Sequence, residues 1–476
     1  MILIKDLGGV RYLIDDSKRK KEGSPRFASI LGLSFGDCGK GIFTDFLTRR
    51  WKADTIVRFN GGAQAGHNVV LPNGQHHTFS QFGAGSFVPK VETILASPVL
   101  IHPGALLVEA EFLNRLGIND ILNRLFIDPR CRVITPFHQA AGRLRELLRE
   151  DKAHGTCGVG IGETVQYSLN FPESTLFFED LNQPSRVLDK LEEIRKNLLS
   201  EFSKIEVHKS EIILNEYNVL KNTNIANDWL NIIKIVTRSV TTLTSSRIAE
   251  KLHSSSTSLF EGAQGILLDE NFGFHPHTTW SSTHANYLND LSIEWELPEP
   301  ILHFGILRTY ITRHGNGPLP TQDPNLNFPE LHNSNEGWQG KFRCGHPDEI
   351  LIKYALSCVG KLSGLLVSHL DIFSKGIPIF WNKTYKSEQN QSGSAYLQTK
   401  AADPFTVTGI TPNRNPEEQN RITQFLEKVK PVYEKKPILD DTEFLNKLRS
   451  ISKLPICFGS YGNTYKGIRE IDNYKS

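Results

Sequence analysis

The feature that most constrains this chain is the passage from an apolar run, through a glycine-rich turn, into an amphipathic segment at residues 27–51. "FASILGL" (27–33) is short, apolar and ends in glycine, as a buried strand does. "GIFTDFLTRRW" (41–51) sets Ile42, Phe43, Phe46 and Leu47 on one helical face. Between them lie Gly36, Gly39 and Gly41, with Asp37, Cys38 and Lys40. "ADTIVRF" (53–59) reads as the next strand. Strand, tight turn, helix and strand in this rhythm predict an α/β fold: a large, mostly parallel central sheet flanked by helices.

Further strands are predicted at "VETILASPVLI" (91–101), "ILHFGIL" (301–307) and "SGLLVSHLDIF" (363–373). The spacing of Val187, Leu188, Leu191, Ile194 and Leu198 predicts a helix over 185–202 with Ser185 at its cap. Segment 383–420, rich in Asn, Gln, Ser, Thr and Pro, reads as a long surface excursion. Residues 1–27 read as an N-terminal extension with a solvated linker, "SKRKKEG" (17–23), and 28–476 as a single large catalytic domain.

Composition excludes several classes. A formal net charge of +2 over 476 residues gives no overall electrostatic case for a nucleic-acid partner. The six cysteines are scattered without a C-x-x-C pair, which argues against a disulfide framework and for a reducing, cytoplasmic setting. No apolar run is long enough to span a membrane, and the N-terminus lacks the apolar stretch of a signal peptide.

The 36–41 turn has the physics of a phosphate cradle without the parts of an ordinary P-loop. Backbone N–H groups at a helix N-terminus and a lysine suit phosphate. Yet Lys40 is followed by Gly41 rather than a hydroxyl residue, so a magnesium ligand must come from elsewhere, and Asp37 is the candidate. A second cluster, "VRFNGGAQAGHNVV" (57–70), presents Asn60, Gln64, His67 and Asn68 among small residues that let a ligand approach the backbone. From these residues alone His67 is either a structural histidine or an acid/base.

"GDCGKG" (36–41), "GGAQAGHN" (61–68), "FEGAQGILLDENFG" (260–273) and "YITRHGNGPLPT" (310–321) resemble, in the same order, signature segments of the adenylosuccinate synthetase family. "GTCGVGIG" (155–162), "HLDIF" (369–373) and "KPVYEKKP" (430–437) are weaker echoes, and the resemblance runs from about residue 28 to the C-terminus. It implies a GTP- and Mg2+-dependent ligase that joins L-aspartate to inosine monophosphate through a 6-phosphoryl purine, in a homodimer, with no nucleic-acid or membrane partner.

By that resemblance Asp37 is the base and, with the Gly66 carbonyl, a Mg2+ ligand. His67 donates to the transferring phosphoryl group, and Lys40 and Gln264 complete the catalytic set. The triphosphate falls to residues 36–41 (Gly36, Asp37, Cys38, Gly39, Lys40, Gly41), to Gly66, His67 and Asn68, and to Arg343, His369, Asp371 and Gly459. The purine monophosphate falls to Asp37, Lys40, Gln64, Gly66, His67, Cys157, Gln264, Thr279 and Lys341, and the amino acid to Gln339, Lys341 and Arg343.

The chain departs from the family pattern at specificity positions. In "EGWQGKFRCGH" (336–346) Trp338 and Gln339 replace two threonines, and Lys341 replaces an arginine, losing its planar fork. Gln64 stands for an asparagine, Cys157 for a threonine, Cys38 for a glutamate, Val159 for an arginine and His369 for a lysine. Two alternatives therefore stay open: a paralogue ligating an amino acid to a different purine (deoxy)nucleotide, with ATP conceivable as donor, or a catalytically weak nucleotide-binding regulator.

Overall fold

A computed structural model describes residues 2–7, 10–15, 24–150, 153–203, 210–326, 328 and 338–474. Its centre is a ten-stranded sheet, in spatial order Ile468–Glu470, Ile456–Ser460, Gly364–Ser368, Leu302–Arg308, Phe27–Gly32, Ser258–Glu261, Thr55–Arg58, Glu92–Leu95, Leu125–Ile127 and Thr241–Thr242. All neighbours pair in parallel except the Ile468–Glu470 edge, which is antiparallel.

Both faces of the sheet are covered, as parallel strands require. The Phe27–Gly32 strand is buried along its whole length. Ala28 and Ile30 pack to one side with Phe43, Leu47 and Trp51 of the Lys40–Trp51 helix. Phe27 and Leu31 pack to the other with Phe260 and Trp295. The period-2 alternation of a strand thus feeds two separate cores. A third core gathers the Pro103–Arg115, Pro136–Leu148, Pro184–Glu201, Glu211–Lys221 and Ile225–Ser239 helices at the far end of the sheet.

Several elements differ from the sequence expectation. The 91–101 strand is confined to Glu92–Leu95, and Pro98 follows a cis peptide bond. The 363–373 strand ends at Ser368, because His369 turns into the left-handed region (φ 64) and a 3-10 turn follows at Leu370–Lys375. The 185–202 helix runs Pro184–Glu201 with Pro184 in its first turn, so Ser185 lies inside it and caps nothing.

The 383–420 segment is not an excursion. It supplies Asn382–Lys386, Leu397–Lys400 and Asp403–Ile410 to a four-stranded antiparallel sheet with Lys430–Tyr433, and then the start of the Pro416–Leu426 helix. Its inward residues Tyr385, Leu397, Val407 and Ile410 join the main core. The polar outward positions and turns dominate its composition and conceal that face. Residues 2–7 and 10–15 form an antiparallel strand pair within the extension. The "SKRKKEG" linker lies outside the described residues.

Candidate active site

Five adjacent strands (Gly364–Ser368, Leu302–Arg308, Phe27–Gly32, Ser258–Glu261 and Thr55–Arg58) run parallel, so their carboxyl ends open onto one edge of the sheet. Ligands of open α/β sheets bind there. The loops leaving these ends carry Asp37, Gln264, His67, His369 and the 309–317 turn.

The loops meet backbone to backbone, which explains their glycines. A Cβ on Gly41 would stand 2.4 Å from the Asn68 carbonyl oxygen, and one on Gly265 2.2 Å from that of Ser34. One on Gly61 would stand 3.1 Å from Gln264 Oε1. Lys40 is buried, and its Nζ donates to the Gly36 and Gln264 carbonyls, both at 2.6 Å. Its ammonium thus ties the first glycine loop to the Gln264 loop. Gln264 itself sits in the left-handed region (φ 53), and its Oε1 is buried without a partner.

Asp37 is gripped from the strand Ile311–His314. His314 Nε2 stands 3.2 Å from Asp37 Oδ2, and Thr312 Oγ1 donates to the Asp37 carbonyl at 3.1 Å. Burial pushes the Asp37 carboxyl up, but the His314 hydrogen bond and charge, with Arg308 and Lys40, outweigh it and hold the group below its ordinary value. Asp37 is therefore ionised, as a proton acceptor must be.

His67 donates from Nδ1 to Glu261 Oε1 at 2.5 Å, both side chains being almost fully buried. The other oxygen of Glu261 accepts the Ala84 N–H at 3.0 Å. Burial drives the imidazole down to about 4 against the pull of Glu261. For Glu261, burial is outweighed by His67, Arg58 and the Ala84 bond, so the carboxylate is held low. The pair is thus a neutral imidazole on an ionised carboxylate, with Nε2 buried and unpartnered. Glu261 and His314 are not among the residues expected from the sequence, although both lie inside its signature segments 260–273 and 310–321.

The remaining predicted residues fall into two groups. On the side of Gly364–Ser368, Ser368 Oγ donates to the Cys38 carbonyl at 2.9 Å and meets His369 Nδ1 at 2.8 Å, while Asp371 accepts from Lys375 at 2.8 Å. Gly459 lies in the adjacent strand, where a Cβ would meet Leu370 at 2.5 Å.

A separate cavity of about 880 Å³ is lined by Ala153, His154, His277, Gly315–Gly317, Gly340, Lys341, Arg343 and Glu427. It takes in Lys341 and Arg343, with Gln339 stacked behind Gly315 (a Cβ there would stand 2.5 Å from its carbonyl), whereas Asp37, His67 and Gln264 are not part of its lining. Arg343 donates to Gln322 Oε1 and the Gly317 carbonyl. Cys157 packs against Leu100, Ile134 and Ile161, and Thr279 donates its N–H to the Leu268 carbonyl. Gln64 Oε1 is buried and unpartnered, Gly66 is exposed, and Asn68 accepts from Thr78.

For a divalent cation, an ionised carboxylate at Asp37 and the backbone carbonyl of Gly66, an exposed residue, are the hard oxygen donors that Mg2+ prefers, and the remainder of its shell is ordinarily water and phosphate. These residues fit the ion.

Glycine loops converging at the carboxyl ends of parallel strands, with an ionised aspartate and a carboxylate-oriented imidazole, define a nucleotide-dependent α/β enzyme. The family model for adenylosuccinate synthetase matches residues 29–463. An adenylosuccinate synthetase of Azotobacter vinelandii is 31% identical over 72% of this chain and 76% of its own length. One of Candida glabrata is 30% identical over 75% and 82%. The fully ligated adenylosuccinate synthetase of Plasmodium falciparum shares the fold with a TM-score of 0.72 at 20% identity, over 94% of this chain and all of that one. Cyanophage S-2L succinoaminodeoxyadenylate synthetase, bound to dGMP and dATP, does so with 0.55 at 12%, over 94% and 95%. The chain belongs to the adenylosuccinate synthetase family, ligases that form a carbon–nitrogen bond.

Proposed function

We propose that the chain joins L-aspartate to inosine monophosphate at the expense of GTP, through a 6-phosphoryl purine, giving adenylosuccinate. The observation that carries this reading is the ionised, partly exposed Asp37 on a loop that Lys40 ties to the Gln264 carbonyl, with the Gln264 side-chain Oε1 left unpartnered. Asp37 takes the ring N1 proton, so that charge gathers on the 6-oxygen as it attacks the γ-phosphorus. Gln264 offers its amide to the same edge of the base. The aspartate amine then displaces phosphate at C6.

His67 is neutral without ligand, but a phosphate beside Nε2 favours the protonated form, and Glu261 stabilises that charge from the other side. The imidazole then donates to the transferring group. Asp37 and the Gly66 carbonyl would hold Mg2+, which when bound neutralises phosphate charge. Lys341 and Arg343 face the amino acid's carboxylates from the cavity wall. We take residues 28–476 as one catalytic unit, 1–27 as an addition to it, and the homodimer and cytoplasmic setting as those of the family.

A second reading is favoured at one place. The carboxylate of Asp371, assigned to guanine recognition, is occupied by Lys375, and His369 stands beside it in place of a lysine. This supports a paralogue with a relaxed triphosphate site and a different purine acceptor, of the kind the cyanophage neighbour's dGMP and dATP exemplify.

Purified protein given Mg2+, aspartate, IMP or dGMP, and GTP or ATP separates the readings by phosphate release and product mass. Turnover with IMP and GTP carries the first, and turnover confined to dGMP with ATP the second. Nucleotide binding with no turnover of any pair would refute both in favour of a regulator.

A further inference from the structure

We infer that His314 is a positioning residue for Asp37, and that it ties this base mechanically to the 338–342 segment of the amino-acid side. The inference rests on the assignment of Asp37 as the base. The strand Ile311–His314 alternates its side chains. Thr312 and His314 share one face, and both hold residue 37: one grips its carbonyl, the other its carboxylate Oδ2. Arg313 points the other way, into a buried nest of the Asn316, Pro318 and His277 carbonyls and the Phe35 ring. This anchor fixes the strand, and with it the reach of His314.

Among the described residues His314 is the one side chain that pairs with the Asp37 carboxylate, and it does so on Oδ2 alone. With Oδ2 held, Oδ1 is the oxygen presented to the purine. A carboxylate free to rotate would spend its time in orientations that do not face the ring proton, and proximity effects are lost with small misplacements.

The second half of the inference comes from register. The strand pairs antiparallel with Phe342–Gly345, and His314 lies opposite Phe342, their rings 4.8 Å apart. The next residue, Gly315, donates its N–H to the Lys341 carbonyl at 3.0 Å. A shift of the segment bearing Gln339 and Lys341 therefore moves the imidazole that sets the Asp37 carboxylate, coupling the amino-acid pocket to the proton-transfer step.

The test compares His314→Gln with His314→Val. The glutamine amide nitrogen reaches where Nε2 stands and can donate, whereas valine keeps only bulk. With the nucleotide pair that wild type turns over, His314→Val should lower kcat roughly 10- to 100-fold with KM for the purine nucleotide little changed, and His314→Gln should recover most of it. In an Asp37→Asn background His314→Val should add nothing further, which a merely structural role would not reproduce.

Hydrogen exchange on the unliganded protein gives a readout that does not need turnover. Amides of residues 36–39 should exchange faster in His314→Val and not in His314→Gln. If wild type is inactive with every pair, the proposed function fails while the exchange result still decides the coupling. An active His314→Val with wild-type kcat, or unchanged exchange, overturns the inference.

Discussion

At the scale of single residues, the site is a set of charges each held by a named partner. Asp37 is partly exposed and, among the described residues, its carboxylate is engaged by His314 alone, so Asp37→Ala should cut turnover by about 10³-fold or more while the thermal midpoint stays within a few degrees. Near-normal activity in that variant would remove the assigned base. Lys40 differs, because its buried ammonium satisfies two backbone carbonyls. Lys40→Met should cost about 2–3 kcal/mol in urea denaturation as well as activity, since both carbonyls lose a charged donor. An unchanged urea midpoint would show that the two loops do not depend on it. Glu261→Gln keeps the shape but withdraws the charge behind His67, so the loss should fall on kcat more than on nucleotide binding.

At the scale of elements, the glycine turns are the firmest link between sequence and structure. Gly41, in the first turn of the Lys40–Trp51 helix, lies against the backbone of residues 67–68. Gly41→Ala should therefore destabilise by about 1–3 kcal/mol, because the obstructing atoms are main chain and cannot rotate away. Gly393→Ala, where nothing stands within 4 Å, should be neutral by the same thermal-melt measurement.

These turns were legible because their chemistry is local: strand, turn and helix each declare themselves within a dozen residues. Glu261 and His314 were not, since their importance lies in partners 194 and 277 positions away that only the sheet order brings near. The 383–420 sheet was hidden for a related reason. Its apolar residues face one way, at Tyr385, Leu397, Val407 and Ile410, while the intervening turns carry the polar composition.

At the scale of the whole molecule, buried histidines set the acid limit of stability. Burial pushes His67 down to about 4, His138 to about 3 and His303 to about 4, so each is neutral in the fold and protonates near 6.5 when unfolded. Between pH 6.5 and 4 the unfolded chain binds more protons, and stability must fall as pH drops. Asp348 acts in the opposite sense between 6 and 3.8, because burial raises its carboxyl to about 6 and the folded state keeps that proton. His277, held at about 4, and His369, held well below its ordinary value by burial, act in the same sense as these three, so the histidines outweigh Asp348 and the net is a loss of stability on acidification. Urea midpoints at pH 7.5, 6 and 5 should therefore decline in that order, and a rise on acidification would mean the histidines are not neutral in the fold.

The segment 155–162 has an optical consequence. Trp338 lies over Gly158, where a Cβ would stand 2.5 Å from its indole, and Trp280 lies against Gly162 at 3.3 Å. Trp51, Trp229, Trp295 and Trp381 are sealed in the cores, where solvent and ligand do not reach them. Any change in the intrinsic emission of this protein on adding a nucleotide or amino acid is thus reported by two indoles on one glycine-rich strip, a spectroscopic gauge that needs no label. Replacing Trp338 with phenylalanine should remove the larger part of the signal from the amino-acid side.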